Sequence, residues 1–106
     1  MKEATELKPE VLEALKLTDF VAVDIETTGL DYQKDSIIEV AAVRFHDGMI
    51  VDTFNSMVNP HRPIPEHITR ITGITSEDVY DAPSFEEIAD DILSFVDNYP
   101  IIAHNV

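Results

Sequence analysis

The stretch from Phe20 to Leu30, Phe-Val-Ala-Val-Asp-Ile-Glu-Thr-Thr-Gly-Leu, constrains this chain most, because an apolar run ends in two carboxylates and then turns on a glycine. Phe20 to Val23 predict a buried strand, so Asp24 and Glu26, two residues apart, project from the same face while Ile25 points the other way. Strand geometry sets their Cα atoms roughly 6–7 Å apart, from which carboxylates can share a hard cation or bracket two. The pair is a candidate metal platform, since like charges at the end of a buried strand otherwise repel and lose hydration together. Asp-x-Glu by itself is common, and its plain alternative is a pair of solvated loop acids. Thr27-Thr28-Gly29-Leu30 strengthens the signal. Two hydroxyls, a glycine free to take positive φ and an exposed apolar side chain can bring hydroxyls and backbone N–H groups to a phosphate or sugar. The competing interpretation of those four residues is a simple turn.

The charge balance narrows the function. Seven Lys+Arg against 21 Asp+Glu give a formal net charge of −14. Such a chain repels a polyphosphate at long range, which argues against a general duplex-binding module built on basic side chains. It leaves room for a nuclease that engages a chain end through Mg²⁺ or Mn²⁺, because bound cations reverse the local field. The 106 residues suffice for one domain with a modest core. With no cysteine, disulfides and thiolate metal sites are excluded. No apolar run reaches membrane-spanning length and the start lacks a signal-peptide core, so no membrane partner and a cytoplasmic address are expected.

Residues 1–18 are expected to form a helical arm, with Val11, Leu12 and Leu15 as its apolar stripe. A domain over 19–106 follows. Ser36 to Phe45 predicts a second strand, Asp47-Gly48 a hairpin turn that accepts positive φ, and Met49 to Asn59 a third strand. The first strand should lie at the centre of a mixed sheet. Glu39, set among Ile37, Ile38, Val40 and Ala41, must face water or find donors. A structural acceptor for the nearby Thr-Thr-Gly turn is favoured for it over a third metal ligand. Pro65 opens a short helix through about Thr72, Gly73 stops it, and Ser76 to Val79 predict a further capped turn of helix. His61 and His67 read as surface histidines. Ser84 to Tyr99 predicts the longest helix, with a Ser84–Glu87 capping box and Phe85, Ile88, Ile92, Phe95, Val96 and Tyr99 covering one face of the sheet. Glu86, Glu87, Asp90 and Asp91 form its solvated side. After Pro100, Ile101-Ile102-Ala103 begins a strand that should run parallel to the first.

The string Val-Asp-Ile-Glu-Thr-Thr-Gly-Leu resembles the first motif of the DnaQ-like, or DEDD, family of 3′-to-5′ exonucleases. Ile71-Thr72-Gly73-Ile74-Thr75 resembles the segment that walls that family's nucleotide cleft. His104-Asn105 resembles the start of its second motif, His-Asn-x-x-Phe-Asp. The resemblance implies an α/β fold, a ribonuclease H-like mixed sheet flanked by helices and truncated here after the fourth strand. It implies two divalent cations, Mg²⁺ or Mn²⁺, on Asp24 and Glu26, and substrate contacts from Thr27, Thr28, Gly29, Leu30, His104 and Asn105. The implied activity is hydrolysis of DNA from the 3′ end to nucleoside monophosphates, in replication proofreading or repair. The implied partners are a single-stranded or frayed 3′ end and a polymerase or helicase subunit or domain. Two of the family's four carboxylates are present, so the isolated chain is expected to be weakly active or inactive, and self-association through the open sheet edge is expected. The alternatives are a helicase-linked exonuclease domain, or a non-catalytic acidic module that binds nucleotide or protein.

Overall fold

The structure, a computed structural model, describes residues 18–29, 31 and 35–105. The expected arm over residues 1–18 lies outside them except for Thr18, and so does Leu30. Strand β1 (Asp19–Thr27), β2 (Ile37–His46) and β3 (Met49–Met57) are followed by helix α1 (Glu66–Thr72), helix α2 (Phe85–Val96) and strand β4 (Ile101–Asn105). The four strands form one sheet in the order β3-β2-β1-β4. β1 pairs antiparallel with β2 and parallel with β4, so the sheet is mixed and β1 is internal to it. The tight β2–β3 connection forms because Asp47 and Gly48 both take positive φ, 50° and 79°, the conformation a two-residue hairpin needs.

Alternation along β1 divides the core. Phe20 and Ala22 face one way, packing with Val43, Phe45 and Ile102, and the Phe20 and Phe45 rings stack at 4.8 Å. Val21 and Val23 face the other way, where Ala42, Ile92, Phe95 and Val96 join them. Helix α2 therefore covers the face opposite Asp24 and Glu26. Its N-terminus carries the predicted capping box, Ser84 Oγ accepting from the Glu87 N–H while the Ser84 N–H donates to Glu87 Oε1. Glu86, Glu87, Asp90 and Asp91 are exposed, as expected.

Several boundaries differ from the sequence-based expectation. Helix α2 ends at Val96, three residues before Tyr99, because Asp97 turns out of the helix at φ 50°. Phe85, the first helical residue, is 41% exposed instead of packing on the sheet. β3 stops at Met57, and Val58 instead donates to the Ile38 carbonyl. Residues 76–80 form successive i→i+3 turns and no helix. Their start is closed by Thr75 and Asp78, each accepting the other's backbone N–H. Helix α1 ends as expected at Gly73, whose φ of 79° lets its N–H close on the Thr69 carbonyl.

Candidate active site

Asp24 and Glu26 lie within the last turns of the β1 pleat, half-buried, on one face of the central strand. The ladder places Asp24 opposite Ala41 and Glu26 opposite Glu39, so Glu39 belongs to the same face. Immediately beyond Glu26 the register slips, and Thr27 pairs with Ile37, leaving Ile38 as the extra residue of a bulge. Ile38 is buried against Ile64, Ile68, Ile74 and Met57, so the bulged residue carries the packing of α1 on the sheet. On the other side of β1, the parallel β4 ladder sets the backbone of His104 beside Asp24 and that of Asn105 beside Ile25. Both expected contact residues therefore flank the acids by backbone register.

The turn after Glu26 departs from expectation in two respects. Gly29 does not take positive φ; its need for glycine is spatial, because a Cβ there would meet the Asp35 carboxylate at 2.5–2.9 Å. The acceptor serving the turn is Asp35 and not Glu39. Thr28 Oγ1 donates to Asp35 Oδ1 at 2.8 Å and accepts from the Ser36 N–H at 3.0 Å. The Thr28 side chain is thereby turned inward, and the residue is 3% exposed. Thr27 Oγ1 donates to the Gly29 carbonyl. Asp35 carries no signal of its own in the sequence, where no motif marks it.

Carboxylate oxygens on a shared face are the hard donors that Mg²⁺ or Mn²⁺ prefers, and Asp24 Oδ1 and Glu26 Oε2 are buried oxygens on which no hydrogen bond falls. Both residues also interact with other groups. The donor set fits a divalent cation. Among the described residues no group of three or more His, Asp or Glu side chains is assembled to hold a metal. A hollow of about 290 Å³ lined by Asp35, Ser36, Val58, Pro60 and Phe85 borders the turn after Glu26 through Asp35, while its Val58 wall packs with Val23 and Ile25 on the face opposite the two acids. No helix among the described residues is long and apolar enough to cross a membrane.

Fold and site together define a ribonuclease H-like mixed-sheet domain with an acidic centre at the C-terminal end of its central strand. The exonuclease family model matches residues 21–106. The chain belongs to that family, within the DnaQ-like (DEDD) 3′-to-5′ exonucleases. It is 46% identical over 86 residues to the PolC-type DNA polymerase III of Thermotoga petrophila, covering 81% of this chain and 6% of that protein. Against the PolC-type polymerase of Staphylococcus aureus it is 43% identical over 91 residues, covering 86% of this chain and 6% of that protein. It thus spans a small fraction of these curated relatives. Among solved structures, exonuclease X in complex with 5′ overhanging duplex DNA aligns at TM-score 0.65 and 32% identity, covering 80% of this chain and 48% of that one. The nuclease domain of 3′hExo, a DEDDh family member bound to rAMP, shares the fold at TM-score 0.68 and 20% identity, over 83% of this chain and 51% of that one.

Proposed function

We propose that this chain supplies the first-motif half of a metal-dependent 3′-to-5′ exonuclease site that acts on DNA, in replication proofreading or repair. The observation that carries the reading is the common face of Asp24 and Glu26 at the end of the central strand, followed at once by the Thr27–Gly29 turn. Asp24 and Glu26 would hold the cations, which when bound activate water and steady the leaving 3′-oxygen. Their carboxylates would also keep the acidic face closed to a phosphate until cation charge is in place. Thr27, Gly29, Leu30, His104 and Asn105 would contact the terminal nucleotide. Thr28, with its hydroxyl held by Asp35 and Ser36, would contribute through its backbone and the turn it fixes.

Two carboxylates are fewer oxygen ligands than a pair of divalent ions requires, so weak or absent hydrolysis is expected of the 106-residue chain alone. The PolC-type polymerases it resembles make a polymerase the favoured partner, with a helicase-linked setting next. Titration calorimetry with Mn²⁺ and a deoxynucleoside monophosphate tests the reading. Metal-assisted nucleotide binding that disappears in Asp24→Ala is expected; nucleotide binding indifferent to metal and to Asp24 would refute it.

A further inference from the structure

We propose that Asp35 is a positioning residue for the Asp24–Glu26 site. Its carboxylate fixes the turn that follows Glu26, and position 29 is glycine because that carboxylate occupies the space a side chain would need. The inference rests on the reading of Asp24 and Glu26 as cation ligands.

The β1–β2 ladder is regular from Asp19 to Glu26 and slips directly afterwards. A bulge interrupts the pairing that would otherwise fix the orientation of the next residues. Beyond it the chain is held instead by a compact set of hydrogen bonds centred on two residues. The Thr28 N–H donates to the Ser36 carbonyl at 2.9 Å, and the Ser36 N–H returns to Thr28 Oγ1 at 3.0 Å. Thr28 Oγ1 in turn donates a hydrogen bond to Asp35 Oδ1 at 2.8 Å. Asp35 Oδ2 accepts from the Asp31 N–H at 2.9 Å, and the Asp35 N–H donates to the Asp31 carbonyl at 2.7 Å. One carboxylate thus ties Thr28, just past the end of β1, to Asp31.

Gly29 completes the arrangement. A Cβ built on it would lie 2.5 Å from Asp35 Oδ2 and 2.8 Å from Cγ, too close for either to remain in place. An alanine would force the carboxylate off Thr28, and the turn would lose its anchor within three residues of Glu26. Because Gly29 needs no left-handed φ, the cost of that alanine comes from the contact and disappears when the carboxylate does. A purely structural loop closure would change stability and leave cation affinity alone.

The test is a Mn²⁺ titration by calorimetry on the whole 106-residue chain and its variants Asp24→Ala, Gly29→Ala, Asp35→Ala, Asp35→Asn and the Gly29→Ala/Asp35→Ala double, each with a melting curve. Gly29→Ala and Asp35→Ala are each expected to weaken Mn²⁺ binding by about tenfold, the scale of losing a charge-assisted hydrogen bond. Adding Gly29→Ala to Asp35→Ala should change the affinity further by less than about threefold, since coupled residues do not add. Asp35→Asn keeps the shape and one acceptor; it is the variant to use if Asp35→Ala does not fold, and a smaller loss is expected of it. Mn²⁺ binding that depends on Asp24 but is unchanged in the folded Asp35 and Gly29 variants would overturn the positioning role alone. Equal damage from Gly29→Ala with and without Asp35 would overturn it too. Absence of Asp24-dependent binding in the parent chain would overturn the metal-site reading, and this inference with it.

Discussion

Glu26 and Glu39 stand directly opposite each other across the β1–β2 ladder, both half-buried on the face that carries Asp24. Like charges in that cross-strand relation destabilise a sheet, whereas a cation between or beside them offsets the repulsion. Glu39→Gln is therefore expected to stabilise the metal-free chain by about 0.2–1 kcal/mol. The gain should shrink once Mn²⁺ is added. Urea unfolding with and without the metal measures both quantities, and a destabilised metal-free variant would contradict the prediction.

The cation itself should act as a folding ligand. If it binds the native arrangement of Asp24 and Glu26 and not the unfolded chain, Mn²⁺ at a hundred times its dissociation constant adds about 2.7 kcal/mol. Asp24→Asn removes a ligand charge while keeping the side chain's shape, so its melting temperature should no longer respond to Mn²⁺. A thermal shift of equal size in parent and variant would place the ion elsewhere.

The parts of this fold that were legible in sequence are those where local chemistry and long-range packing agree. Asp47-Gly48 specified its hairpin because few other residues accept two successive positive φ angles, and Ser84 with Glu87 specified the start of α2 through their reciprocal hydrogen bonds. The shared face of Asp24 and Glu26 followed from the period of a strand. What sequence concealed was contact at a distance. Nothing local marks Asp35 as the acceptor for Thr28, and Gly29 looked like a turn glycine when its constraint is a neighbouring carboxylate. The same limit applied to Ser76–Val79, where a cap signal introduced turns and the chain did not continue into helix.

At the other end of the sheet, His46 is held between two acids. Its Nδ1 pairs with Asp19 Oδ1 and its Nε2 lies 3.3 Å from Asp47 Oδ2. The Asp19 hydrogen bond, followed by the charges of Asp19 and Asp47, raises its pKa above the ordinary 6.5. A raised folded-state pKa means the imidazolium is stabilised by folding. That contribution is fully present below 6.5 and is lost as pH rises through the elevated value. His46→Gln should thus melt below the parent at mildly acidic pH, with the two curves converging on the alkaline side. A gap that is constant with pH would assign His46 a packing role only.

Arg44 ties β2 to the C-terminal end of α2, a helix with no basic residue in its last turn. Its guanidinium carbon sits 4.5 Å from the centroid of the Phe95 ring and 5.1 Å from that of Tyr99, and Nη2 donates to the Phe95 carbonyl. The cation therefore meets two ring faces and the negative end of the helix dipole together. Its ion pair with Asp52, at 3.5 Å, is the weaker link, since Asp52 is more than half exposed. Lysine keeps the charge but has neither the planar stacking surface nor the fork, so Arg44→Lys should cost about 1–2 kcal/mol. Asp52→Asn, which removes only the surface partner, should cost less than about 1 kcal/mol. Chemical denaturation of the two variants ranks the contacts: a larger loss from Asp52→Asn would make the ion pair, and not the stacked helix end, the reason for arginine at this position.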